Sequence, residues 1–226
     1  MALNITNTKK EISLIPEGTH VGILYSIVDL GTQEVQFKGE TKYQPKVRLT
    51  FELPNETKEF DGVVKPLVIG GKYTMSLSDK AILKPIIEGI LGKKLTDAEK
   101  ANFSSDEFHK LMGKPVMLNV MHTVSQANGN TYANIASVSP LMKGLTVPNQ
   151  FNENVIYDVS EGQTGAFESL PEFVREDIMK SVEMRPLSSD SSEKIAEARG
   201  NVYPQSEESL SIRSVEKDED YSEIPF

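Results

Sequence analysis

Between Thr19 and Leu30 apolar residues occupy both faces of an extended segment. Val21, Ile23, Tyr25 and Ile27 alternate one way, and Leu24, Val28 and Leu30 the other. Each apolar face needs a covering layer, so the pattern predicts a central or strongly curved strand. Gly31 to Lys42 is polar and reads as a loop or as an extension of that strand. The cleanest alternation runs from Lys46 to Leu53: Val47, Leu49, Phe51 and Leu53 face one side, Lys46, Arg48, Thr50 and Glu52 the other. Such a strand is half-buried, and Pro54-Asn55 is expected to end it. A third extended segment, Val63 to Leu77, contains Pro66 and Gly70-Gly71, which predict a turn or bulge within it.

Ser78, with Asp79 after it, has the character of a helix N-cap. Ala81, Ile82, Ile86, Ile90 and Leu91 recur at helical spacing up to Gly92, with Pro85 predicting a kink or break. Thr96 and Glu99 have the spacing of a capping box, and Ser105 to Met112 predicts another short helical piece. Pro115–Val124 and Thr131–Pro140 then read as strands, joined through an Asn128-Gly129 hairpin signal. The predicted order is three strands, a helical insertion and two strands. That is the order of the OB-fold, a five-stranded, partly open barrel with its helix between strands 3 and 4. Another small α+β domain with the same order fits the pattern too. The expected domain covers residues 1–150.

Beyond Gln150 the periodicity fades. Leu170 to Val182 predicts a short amphipathic helix through Phe173, Ile178 and Val182, while Ser188 to Asp220 is rich in Ser and Glu. A segment with so few large apolar residues cannot offset its ordering entropy, so residues 151–226 are expected to form a mostly disordered extension. Charge divides the chain at the same place. Residues 1–150 carry 17 Lys and Arg against 15 Asp and Glu, whereas 151–226 carry 7 against 18. The net −9 of the 226 residues therefore describes a near-neutral body with an acidic extension.

Other classes are excluded by what the chain lacks. No apolar run approaches the roughly 20 residues of a membrane helix, and the first residues lack the order of a signal peptide. With no cysteine there is neither disulfide nor thiolate chemistry, so a soluble, cytoplasmic protein is expected. His20, His109 and His122 fall in no metal-ligand spacing, and no nucleotide-binding loop or nucleophile elbow occurs. Gly70-Gly71-Lys72 lacks the rest of a phosphate loop and fits a strand bulge better. Neither catalysis, a cofactor nor a metal is expected.

Nucleic-acid binding needs cations for phosphates and flat side chains for bases on one surface. Lys42, Tyr43, Lys46 and Arg48 on and before the second strand, Lys72 and Tyr73 in the third, and Tyr132 at the start of the fifth supply both. Lys46 and Arg48 equally fit a merely solvated strand face, and Tyr73 and Tyr132 equally fit half-buried barrel residues.

The sequence closes with Asp218, Glu219, Asp220, then Glu223-Ile224-Pro225-Phe226. A solubilising tail does not require Ile-Pro-Phe. Pro225 reduces the entropy lost on docking, Phe226 offers an apolar anchor beside a carboxylate, and the acids steer toward a basic partner. This end resembles the tails of bacterial single-stranded DNA-binding proteins, with Tyr221-Ser222 interrupting the acids. The body is similar to a phage family of OB-fold single-stranded DNA-binding proteins, through Tyr25–Gln33, Lys46-Val47-Arg48, Phe51-Glu52-Leu53-Pro54 and Thr131–Ile135. The resemblance implies sequence-nonspecific binding of single strands in phage replication or recombination within a bacterial host cell. It also implies recruitment of replication or recombination proteins by residues 218–226. A protein-interaction or DNA-mimic inhibitor acting through the acidic extension is the alternative, against which the near-neutral body counts.

Overall fold

The computed structural model describes residues 14–60, 62–126, 128–185 and 189–200. Its centre is a six-stranded, mainly antiparallel sheet. β1 (Gly18–Phe37), β2 (Glu40–Phe60) and β3 (Val63–Thr74) form a meander, followed by a helical insertion and then β4 (Pro115–Val124) and β5 (Thr131–Pro140). The hydrogen-bonded path is β3-β2-β1-β4-β5, and β6 (Val155–Tyr157) pairs with β1. The end strands β3 and β5 approach each other, but no hydrogen-bonded ladder joins them among the described residues, so the sheet is not closed.

Strand β1 accounts for the shape. Its first part, Gly18–Ile23, pairs with β4, and Ser26–Val28 then takes β6 in parallel along the same edge. The other edge pairs with β2 from Ile23 to Phe37, with register shifts at Leu24/Ser26 and Asp29/Gly31. Bulges of this kind bend a strand and increase its twist. The polar stretch after Gly31 is therefore strand extension, closed by a two-residue turn in which Lys38 and Gly39 both have positive φ, the geometry hairpins favour.

The apolar faces of the meander enclose the main core. Leu24, Ile27, Val47, Leu49, Phe51 and Leu53 pack with Ile69, Leu118 and Val138, and with Ile86, Ile87 and Ile90 of helix α1 (Leu83–Leu91). Helices α2 (Asp97–Ala101) and α3 (Ser105–His109) complete the insertion. The Thr96–Glu99 capping box forms in both directions, as its spacing predicts.

Three expectations are corrected here. Helix α1 begins at Leu83, not beside Ser78, whose carbonyl instead accepts from Ala81 N–H in a separate turn. Pro85 falls in the first turn, where a backbone N–H has no intrahelical partner to lose, so the helix is not broken. Gly70-Gly71 does not interrupt β3; the irregularity lies on β2, between Leu53 and Thr57.

A fourth correction concerns the extension. Residues 151–185 are built onto the sheet. β6, a 3-10 turn at Val159–Glu161, α4 (Gly165–Ser169) and α5 (Glu172–Met179) lie along the second apolar face of β1. There Val28 and Leu30 pack with Tyr157, Val159, Phe167, Leu170, Val174 and Ile178 in a second core. Leu170 to Val182 thus contains the helix its periodicity predicts. The docking is tight at Gly31, where φ is +75° and a β-carbon would lie 2.6 Å from that of Ser181. Glycine alone adopts that conformation without strain and leaves that space. Next to it Val182 N–H donates to Thr32 O at 2.9 Å. Residues 189–200, expected to be disordered, form helix α6 (Ser189–Gly200). Arg199 ties it to Asp29 at 3.0 Å and to Glu183 at 3.1 Å.

Candidate nucleic-acid interface

Alternation on β2 sends Lys46, Arg48, Thr50 and Glu52 to the face opposite the main core, as predicted, yet all four are buried. Over Arg48 and Glu52 the covering layer is the 151–185 segment. Glu52, wholly inaccessible, accepts from Phe151 N–H and Asn152 N–H at 2.8 Å each and from Asn152 Nδ2 at 2.7 Å. Arg48 lies under α5, its guanidinium 4.9 Å from the centroid of the Phe173 ring. Burial lowers the Arg48 pKa, opposed by Asp177 and by the Tyr73 and Tyr25 hydroxyls. The same burial raises the Tyr73 hydroxyl, with Arg48 acting against it, so this phenol stays neutral. Gly71 makes room for the ring: a β-carbon there would lie 2.1 Å from the Tyr73 hydroxyl. The glycine pair thus serves packing.

Toward its start, β2 leaves this cover. A cavity of about 210 Å³ is lined by Gln44, Lys46, Lys72, Tyr73, Thr74 and Lys80 among others. A second of about 590 Å³ is lined by Thr41, Lys42, Tyr43, Gln44, Thr74 and the α6 residues Lys194 and Glu197. Gln44, Thr74 and Ser76 border both, so the two cavities adjoin along one margin of a composite groove. Its cations are positioned rather than loose. Lys46 Nζ donates to Thr74 Oγ1 at 2.9 Å, Lys42 Nζ sits 4.5 Å from the Phe37 ring centroid, and Lys72 Nζ is 3.5 Å from Asp177 Oδ2. Lys194 Nζ stands 5.0 Å from the Tyr43 ring centroid. Lys46, Lys72 and Lys80 line the first cavity, whereas Lys42 and Lys194 line the second together with the half-buried Tyr43 and Glu197.

The structure therefore places Lys46, Lys72 and, buried in the wall, Tyr73 at the first cavity, and Lys42 and Tyr43 at the second. Arg48 adjoins it under α5. Tyr132 lines neither cavity: it lies on β5 opposite Thr123, its hydroxyl accepting from Asn128 Nδ2 at 2.9 Å. Lys80 and Lys194 are groove residues that sequence reasoning missed. Lys80 precedes a helix by too little to stand out, and Lys194 belongs to a segment without apolar periodicity. The tail residues Asp218, Glu219, Asp220, Glu223, Ile224, Pro225 and Phe226 lie outside the described residues.

The histidines are engaged elsewhere. His122 Nε2 is 2.7 Å from Ile15 O, and His20 Nδ1 is 3.0 Å from Glu56 Oε1. Among the described residues no group of three or more His, Asp or Glu side chains could hold a metal ion. No described helix is long and apolar enough to cross a membrane. Comparison with known protein families and with curated proteins finds no match.

Proposed function

We propose that this chain is a single-stranded DNA-binding protein, phage-encoded and acting in the cytoplasm of a bacterial host, rather than an enzyme. The observation that carries the reading is a pair of adjoining cavities, one lined by Lys46, Lys72 and Lys80 and the other by Tyr43, Lys42 and Lys194. Lysines neutralise successive phosphates, and an accessible aromatic ring stacks on any base, so the combination favours single strands without demanding a sequence. The strand order, with a helical insertion between β3 and β4 and with β3 and β5 drawn together, supports a partly open OB barrel. In such barrels the face of strands 2 and 3 is a nucleic-acid surface, and the groove runs along those strands.

In this reading the domain protects single strands during replication or recombination, and residues 218–226 recruit partner enzymes. Deleting those nine residues is expected to leave strand binding intact or tighter while abolishing partner capture. Loss of strand binding on deletion would remove the tail assignment. Titration of labelled single- and double-stranded oligonucleotides tests the binding itself.

A further inference from the structure

Past the irregularity at Leu53/Thr57, β2 and β3 leave the body as a paired arm. Thr57–Phe60 and residues 62–65 are all exposed. Side chains directly opposite each other, and those two apart on one strand, share a face of a two-stranded ribbon. The register sets Lys58 against Lys65 and Phe60 against Val63, so these four share one face, with Glu59 and Val64 on the other.

Like charges directly opposite one another on a ribbon repel, and neither lysine has an ion-pair partner among the described residues. Lys58 Nζ instead rests 5.9 Å from the Phe60 ring centroid. The ring is 42% accessible and its neighbour Val63 is 49%. Two opposed cations with an exposed aromatic platform beside them complement a strand that is anionic along its backbone and flat at its bases. A protein partner docking through apolar area alone would gain nothing from the lysine pair.

We infer that this arm is a second contact for single-stranded nucleic acid, with Phe60 stacking on a base and Lys58 and Lys65 flanking a phosphate. The inference rests on the proposed function of the groove and extends it to longer strands. An oligonucleotide confined to the groove does not reach the arm, whereas a longer one does.

The test compares the full chain with Phe60→Ala and with the double variant Lys58→Gln/Lys65→Gln. Of strands of about 6 and about 30 nucleotides, the first lies within the ~4–16 that one fold of this class covers and the second well beyond it. The exposed positions should leave the thermal midpoint unchanged, checked by circular dichroism. On the long strand Phe60→Ala is expected to bind about tenfold more weakly. The double variant should lower the steepness of log K against log salt by about 0.7, the value for one lost phosphate contact on single strands. Neither change should appear on the short strand. Long-strand affinity and salt slope unchanged in both variants would overturn the inference while leaving the groove reading intact. So would a sedimentation shift from dimer to monomer in Phe60→Ala, which would make the arm a self-association surface. Failure of the unaltered chain to bind at either length would instead remove the groove reading, and the arm with it.

Discussion

Strand β2 carries the same alternation along Lys42–Leu53, but its two ends meet different fates. From Arg48 to Glu52 the polar face is roofed by residues 151–185, and each charged group has a dedicated partner there. From Lys42 to Lys46 that cover gives way to the two cavities, with Lys42 lining one and Lys46, itself largely buried, lining the other. Polar alternation therefore identifies a face without saying whether water, protein or a ligand completes it. If the buried end serves stability and the open end serves the proposed binding, substitutions in the two should separate into different observables.

The largest effect is expected at Glu52. Its replacement by Ala leaves two partly buried backbone N–H groups and an amide without their acceptor and should cost about 3 kcal/mol, read from urea unfolding. Faster proteolysis near Phe151 should accompany it as the roof loosens. Phe173→Ala comes next, at about 2 kcal/mol, since it removes both packing and a desolvated cation–π contact with Arg48. Strand affinity should not fall, because the ring lies on the covered side. A marked loss of affinity with unchanged stability would erase the distinction between the two ends.

At the open end the order of observables reverses. Tyr43→Ala should weaken single-strand binding about tenfold, within the range of one lost base stack, and leave the unfolding midpoint in place. Lys72→Gln should reduce the salt slope by about 0.7 and alter stability little, its partner Asp177 keeping Lys180 at 3.1 Å.

The smallest effect concerns acid. Burial works to raise Glu183, but hydrogen bonds from Thr32 and the nearby Arg199 outweigh it and hold the carboxyl below its ordinary 4.5. A carboxyl depressed in the folded state stabilises above its unfolded value, and that contribution disappears as pH falls through the folded value. Asp29, raised by burial against Arg199, contributes with the opposite sign. Glu183→Gln should therefore flatten the loss of stability below about pH 4.5, measured as unfolding midpoints against pH.

Much of the sheet was legible because periodicity is local. Val47, Leu49, Phe51 and Leu53 announce their face within eight residues, and the double-faced apolar pattern of β1 correctly demanded a layer on each side. The identity of the second layer was not legible. Its apolar members Tyr157, Val159, Phe167, Leu170, Val174 and Ile178 are spaced over short elements and turns, so no single period links them. Lys46 and Arg48 were read from the strand alone, which cannot reveal a roof built about 100 residues later in the chain, as the Glu52 bonds to Phe151 and Asn152 are. The proximity of Lys46 and Lys72 follows from the β2–β3 register, which pairs Lys46 with Thr74 and Arg48 with Lys72, whereas Lys194 comes from α6, which Arg199 ties to Asp29 and Glu183.

The central claim, that the open end of β2 binds single strands, is tested most directly by fluorescence anisotropy with the unaltered chain. Labelled single-stranded and duplex oligonucleotides would be titrated at two salt concentrations. The expected result is preference for the single strand, with affinity falling as salt rises. No single-strand binding at low salt, or equal affinity for duplex, would contradict the account.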